Sequence, residues 1–463
     1  MAGSSGLAHP SQAAHVLRRR WRRGLVAAME TALRLLRTVQ STTGAGDART
    51  VVFLIWNAYS IGGTVRTVIR QANELVSRGH DVEVVSVIRR QGQRTTPFFD
   101  LDRRVRLTVL VDLGDVEEPG GAAGRIARWL HRRPSVLLHE QETRFKQASL
   151  LTDVRAVQAL ARQRAGVVIG TRLGLNLIIA RFARPGVITI AQEHLFLDHY
   201  RPPLPDGIQR HFPKLDAVVS LTEADAQDYR RHLAGHDVLI ETIPNSLPDE
   251  LPATADAAAH RIVAVGRLAS GAKGFDRLIK AFAKIADRHP DWDVRIIGAG
   301  QRARLDKLAA KLGISDRVSL PGSSDRVMDE LRSASVLAVS SRFDAFPMIV
   351  LEGMSAGLAI VSFDCPQGPR EMLTHDVDAL VAPQDDLDAF AAMLDRAMGD
   401  EALRRRLGVA ARETSRQYST SAVTERWLRL FEEVAHRRRT ARGRARPHRP
   451  LPQQRLPHSR PTG

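Results

Sequence analysis

From residue 50 onward, short apolar runs alternate with amphipathic stretches. "VVFLIW" (51–56) reads as a strand, because an unbroken run of branched and aromatic residues has no polar face. "GGTVRTVIRQANELVSRG" reads as the helix that follows, with Gly79 as its C-terminal stop, and "DVEVVSV" as the next strand. "GVVIG", "VITIA", "AVVSLT" and "VLIETIP" continue the series, with "EADAQDYRRHLAG" as a helix among them. Strands apolar on both faces and separated by helices predict a parallel sheet covered on both sides.

A Pro- and Ala-rich segment, "PNSLPDELPATADAAAHR" from Pro244 to Arg261, interrupts the rhythm and reads as a linker. The pattern then restarts with "RIVAVG", "WDVRIIG", "VSLPG", "VLAVSS" and "LAIVS" as strands. "FDRLIKAFAKIADRHP", "QRARLDKLAAKLG" and "VMDELRSA" read as helices between them, and "SAVTERWLRLFEEVAHR" as a closing helix. The fold class expected is α/β, with two doubly wound, Rossmann-like domains facing across a cleft. The expected organisation is an arm over 1–49, a first domain over 50–250 and a second over 251–415. A helix over 416–436 packs back toward the first domain, and a disordered tail covers 437–463.

Charge changes the picture less than its size suggests. The chain of 463 residues carries a formal charge of +17. Residues 1–49 hold eight Arg against Glu30 and Asp47, and residues 437–463 hold nine Arg and no acid. The ends therefore carry +6 and +9, leaving +2 for residues 50–436. Basicity belongs to the appendages, so a specific nucleic-acid partner is not expected of the folded body. The tail, rich in Pro and Arg, lacks the apolar content to offset its ordering entropy. In the arm, Leu17, Trp21, Leu25, Met29, Ala32 and Leu36 recur at helical spacing beside Arg18, Arg19, Arg20, Arg22 and Arg23. Such a helix suits either an anionic membrane surface or docking on the protein body. No apolar run approaches the roughly 18 residues needed to span a bilayer. Cys365, the single cysteine, excludes an intrachain disulfide and reads as a small buried thiol. A cytoplasmic protein, peripheral at the inner membrane face, is expected.

Three loops carry candidate chemistry. In "IWNAYSIGGTVRTVI", Gly62 and Gly63 lie between a strand and a helix, where a ligand can approach free amides and the positive helix end. The dinucleotide pattern G-x-G-x-x-G is absent, which disfavours a nicotinamide cofactor. In "VGRLASGAKGFDRLI", Arg267 and Lys273 lie among Gly266, Gly271 and Gly274, a cationic loop suited to a diphosphate. In "SRFDAFPMIVLEGMSA", Asp344 and Glu352 stand eight positions apart, Arg342 to Pro347 form a loop and Met348 starts a helix. Eight helical positions span roughly 12 Å, too far for two acids to act on one bond. They could instead hold two ends of an elongated ligand, with the amides of Phe346 to Met348 facing its anionic middle. A nucleotide-sugar has that shape.

With "IPNSL" at the linker and "SFDCPQGPREML" beyond, these motifs in this order resemble a family-4 retaining glycosyltransferase of the GT-B fold, over residues 50–435. The resemblance implies a nucleotide-diphosphate sugar donor, UDP by family habit, retained anomeric configuration and no required metal or other cofactor. It implies that Glu352 binds the ribose and that Asp344 touches hydroxyls of the transferred sugar. Ala345, Phe346, Pro347 and Met348 would contribute backbone to sugar and phosphate, Pro347 having no N–H to give. Arg267 and Lys273 would neutralise the leaving diphosphate, Gly63 with Gly62 would pack against it from the other domain, and Gly266 would line its loop. His194, in "VITIAQEHLFLDHY", would sit at a strand end near the sugar, with Glu193 and His199 toward the acceptor; Asn245 would shape the hinge. Two departures stand out: the family usually has Glu where Asp344 stands and Gly where Ala345 stands. The acceptor implied is a cell-envelope or lipid-linked glycan. The alternatives are a sugar-nucleotide epimerase of the same fold, or an Arg-rich protein binding nucleic acid or a membrane surface.

Overall fold

The computed structural model describes residues 24–28, 30–31, 48–117, 121–268 and 271–444. Two all-parallel sheets organise the chain. The first has seven strands in the order β3-β2-β1-β4-β5-β6-β7: β1 Thr50–Ile55, β2 Asp81–Arg89, β3 Arg106–Asp112, β4 Val167–Gly170, β5 Ile188–Gln192, β6 Ala217–Ser220 and β7 Leu239–Thr242. The second has six in the order β10-β9-β8-β11-β12-β13: β8 Arg261–Val265, β9 Asp293–Ile297, β10 Val318–Gly322, β11 Val336–Val339, β12 Ala359–Phe363 and β13 Ala379–Ala382. The double α/β architecture expected from the alternating pattern is the one observed.

The central strands are buried on both faces because each is apolar at odd and even positions. Two edge strands were not legible in the sequence. β3 is partly exposed along most of its length, and β13 has only four residues, "ALVA". β3 lacks the two-sided apolar run that marks an interior strand, and the short apolar run of β13 is set among polar residues and turns that hide it.

Strand order reverses between β1 and β4, and again between β8 and β11. A crevice opens at such a reversal, at the carboxyl ends of the strands, because the flanking helices leave in opposite directions. The chain leaves β1 into the Gly62–Gly63 turn, β8 into the Gly266–Gly274 loop and β11 into residues 342–347. All three candidate loops thus lie where this topology places a ligand.

After the second sheet the chain returns. Helix Thr420–Arg444 packs on helix α1, Gly63–Ser77, and Trp427, Phe431 and Val434 share a core with Val65, Val68 and Ile69 of α1 and Val51 and Phe53 of β1. Its start runs beside the linker, where the Leu247 N–H donates to the Tyr418 carbonyl at 2.7 Å. The sequence pattern predicts an end to this helix at His436 and disorder from 437. The helix instead continues to Arg444, because Arg438 donates to Asp216 of the first domain at 2.5 and 2.7 Å and Arg437 pairs with Glu433 one turn back. The rest of the tail lies outside the described residues.

So does most of the N-terminal arm. In its described part, Leu25 and Val26 pack against the core of the first domain, and Glu30 accepts from Arg181 at 2.9 Å. Leu25 belonged to the stripe offered to a membrane; here it faces protein. No helix among the described residues is long and apolar enough to cross a membrane.

Candidate active site

The second domain supplies the cationic loop. A 3-10 turn, Gly271–Lys273, leads into helix α2, Phe275–Ala283, through Gly274 at φ 61. A side chain at Gly274 would stand 2.0 Å from the Ser340 carbonyl oxygen, so only glycine lets the loop lie this close to the end of β11. The Lys273 stem passes over Gly266, and its ammonium pairs with the Asp344 carboxylate. The two candidates, 71 residues apart, are therefore partners.

Asp344 is fixed by its backbone. Its carbonyl accepts from the Gly368 N–H at 3.2 Å, and a side chain at Gly368 would press 2.6 Å from the Pro347 ring. The motif "SFDCPQGPREML" thus buttresses the acid loop. Phe346 is buried against Tyr418, so only its backbone is left for a ligand. Helix α3, Met348–Ser355, starts without a side-chain cap and without acids in its first turn; the Val350 N–H donates to the Pro347 carbonyl, and no side chain caps the amides before it.

The first domain closes over this loop. The Cβ position of Gly63 lies 3.9 Å from Met348 Cγ, so the glycine turn and the start of α3 face each other directly. Phe196 meets Phe343 across the gap at 6.2 Å between ring centroids. The Glu371 carboxylate accepts from the Glu223 and Ala224 amides at 2.6 and 2.7 Å, capping a first-domain helix, Glu223–His232, from the second domain. His194 and Ala345 line one small crevice between the sheets.

Glu352 is buried and joined to Arg66 of α1 at 2.6 Å. Burial pushes its carboxyl up, and Arg66 pulls it down. The sequence alone gives Arg66 no role, although it stands three positions after Gly63 on a helix starting at the cleft, within reach of the opposite wall. Behind it Arg70 donates to the Ser246 carbonyl, next to Asn245, which is buried in the linker with Oδ1 unpartnered. Asn245 thus sits in the linker beside the carbonyl that Arg70 engages.

Arg267 is exposed and acts electrostatically on Arg144 of the first domain. Burial holds the His194 imidazole down to about 3, helped by Arg172, so the ring is neutral and its Nε2 has no partner. A neutral imidazole can hydrogen-bond a sugar without repelling positive charge at the anomeric carbon. Burial raises the Glu193 carboxyl to about 8 against the hydrogen bonds from Asn176 and Tyr200, at 2.8 and 2.7 Å. His199 is exposed and packs edge-on to Phe196. Cys365 is buried, its thiol pushed up to about 12 by burial, as a packing residue should be.

The Glu193 shift sets a stability test. Between its ordinary 4.5 and about 8, the unfolded chain loses this proton while the folded chain keeps it. The contribution is fully present below 4.5 and is lost as pH rises toward 8. Glu193→Gln keeps the shape and both partners, so its melting temperature should gain on wild type steadily from pH 5 to pH 8. A difference independent of pH would show that Glu193 is ionised throughout.

Residues 255–414 match the family described as glycosyl transferases, group 1. The second domain belongs to that family. Around this group 1 domain the chain is similar to an exopolysaccharide phosphotransferase of Streptomyces coelicolor, 35% identical over 395 residues. That match covers 84% of this chain but 41% of the relative, so the chain spans less than half of that protein. An uncharacterized glycosyltransferase of Haemophilus influenzae is 25% identical over 81% of this chain and 98% of its own length. Among solved structures, S. aureus TarM, in complex with fondaparinux, alpha-GlcNAc-glycerol and UDP, superposes with a TM-score of 0.65 at 13% identity, covering 82% of this chain and 99% of that one. The fold around the group 1 domain is GT-B.

Proposed function

We propose that the chain transfers a sugar from a nucleotide-diphosphate donor, with UDP as the nucleotide, to a hydroxyl of a cell-envelope or lipid-linked glycan, with retained configuration. One observation carries the reading: Lys273 and Asp344 are paired beside an uncapped helix start that faces the Gly62–Gly63 turn across the cleft. Positive charge and free amides meet there, at the reversal points of both sheets, which suits a diphosphate flanked by hydroxyl-bearing groups. The UDP named with TarM, and the exopolysaccharide in the name of the S. coelicolor relative, support the donor and acceptor classes.

In this reading Glu352 releases Arg66 to accept from the ribose hydroxyls, and Asp344 holds the transferred sugar. The bond from the anomeric carbon to the phosphate oxygen breaks with its electrons passing to the diphosphate, where Arg267, Lys273 and the α3 amides receive the charge. The acceptor hydroxyl attacks from the same face, and its proton goes to the departing oxygen. Glu193, buried and held by two side chains, is not poised as a nucleophile. The positive charge the step needs comes from side chains, so the proposal includes no metal.

The epimerase alternative finds no support in the relatives named. The test is to incubate the protein with a panel of UDP-sugars and a glycan acceptor, following UDP release and the product's anomeric signal by NMR. Acceptor-dependent release with a retained anomer supports the proposal; interconversion of the donor without acceptor would replace it.

A further inference from the structure

The first domain holds a second concentration of charge that the donor reading does not use. A cavity of about 160 Å³ lies between the carboxyl ends of β1 and β5, lined among others by Trp56, Asn57, Arg90, Arg144, Arg172 and His194. Glu193 is the one acid in this lining, and Asn176 and Tyr200 engage its two oxygens. Glu142 stands beside Arg172, 3.3 Å from its Nε, and offsets one guanidinium. Glu142 also acts on Arg144, and among the described residues no acid other than Glu193 lines the cavity.

Arg144 bears the strain of it. Its Nε is buried without a partner, and burial lowers its affinity for the proton, followed by repulsion from Arg172, Arg90 and Arg267. A fold gains nothing by assembling guanidinium groups around a buried unpaired N–H; an arriving anion would relieve both penalties. Lys273 and the start of α3 already serve a donor diphosphate from the other domain. His194 lines the same cavity, in the domain that the proposed function assigns to the acceptor.

We propose that Arg90, Arg144 and Arg172 form an anion subsite for the acceptor, receiving a phosphate group near the hydroxyl that takes the sugar. The subsite rests on the reading of the first domain as the acceptor side. Three guanidinium groups of fixed planar geometry can share the oxygens of one phosphate, which a sugar hydroxyl could not neutralise.

The test is calorimetric titration of the full chain, saturated with UDP, against glycerol 3-phosphate, glycerol and glucuronate. Saturable binding of glycerol 3-phosphate is expected, with glycerol silent and glucuronate weaker. Arg144→Gln and Arg90→Gln should each weaken glycerol 3-phosphate about tenfold, Arg144→Lys should restore part of it, and UDP affinity should change less than twofold. An unchanged melting temperature shows that each variant folds. No saturable binding, tighter glucuronate, unaltered affinity in both Gln variants, or an equal loss for UDP would overturn the subsite, the last by assigning the arginines to the donor. If UDP itself failed to bind, the proposed function would fall, while a loss of glycerol 3-phosphate in Arg144→Gln would still uphold the subsite.

Discussion

Lys273→Ala should lower sugar transfer by about 10²–10³-fold at saturating donor, the scale of removing one fixed charge-stabilising group from a developing anion. The geometry makes the lysine hard to replace. It leaves a tight turn through left-handed Gly274, crosses Gly266 and ends on Asp344, so its ammonium has one place to be. Among the described residues only Lys273 pairs with Asp344, while Arg267, farther back in the same loop, is exposed. Lys273→Ala also strips Asp344 of its partner, so the loss mixes leaving-group stabilisation with a looser sugar contact. Lys273→Arg separates the two, since it keeps the charge but not the reach, and should recover only part of the rate. Rates measured with the melting temperature alongside distinguish a chemical defect from unfolding. Transfer at the wild-type rate in Lys273→Ala would remove the residue from the mechanism.

Glu352→Gln should instead act on donor affinity. A hydrogen bond to a charged group contributes about 1.5–3 kcal/mol, so the donor KM should rise by about 10–100-fold. The ribose is remote from the breaking bond, so kcat should change far less. The competing effect is the lost ion pair with Arg66, which in the absence of donor joins the two domains at 2.6 Å. That pair is nine-tenths buried on the Glu352 side, and an uncompensated Arg66 beside Arg70 would loosen the closed arrangement. Arg66→Met tests this separately: it breaks the bridge but leaves the carboxylate, so donor KM should fall or stay level. If Glu352→Gln lowered kcat with KM unchanged, Glu352 would belong to the reacting end of the donor and not to the ribose.

The parts of the molecule legible in the sequence are those governed by local chemistry. Interior strands announce themselves because burial on both faces demands unbroken apolar runs, as in β1 and β12. The loops of the site could be found because glycine, lysine and the start of α3 sit at the ends of such strands. The pairing of Lys273 with Asp344 was not legible, since it depends on β8 and β11 lying side by side. Arg144 was invisible for a related reason. It falls in an irregular connector, "QETRFKQ", without periodicity, and matters only because the fold brings it to Arg90 and Arg172. Glu371, whose carboxylate caps a helix of the other domain, is likewise a product of the closed cleft.

The most direct measurement is the structure of the protein soaked with a UDP-sugar. The diphosphate should lie between Lys273, Arg267 and the Met348 amide, with the uridine ribose on Glu352 and the sugar between Asp344 and His194. A donor seated elsewhere, or one whose phosphates touch neither Lys273 nor the start of α3, would contradict the account.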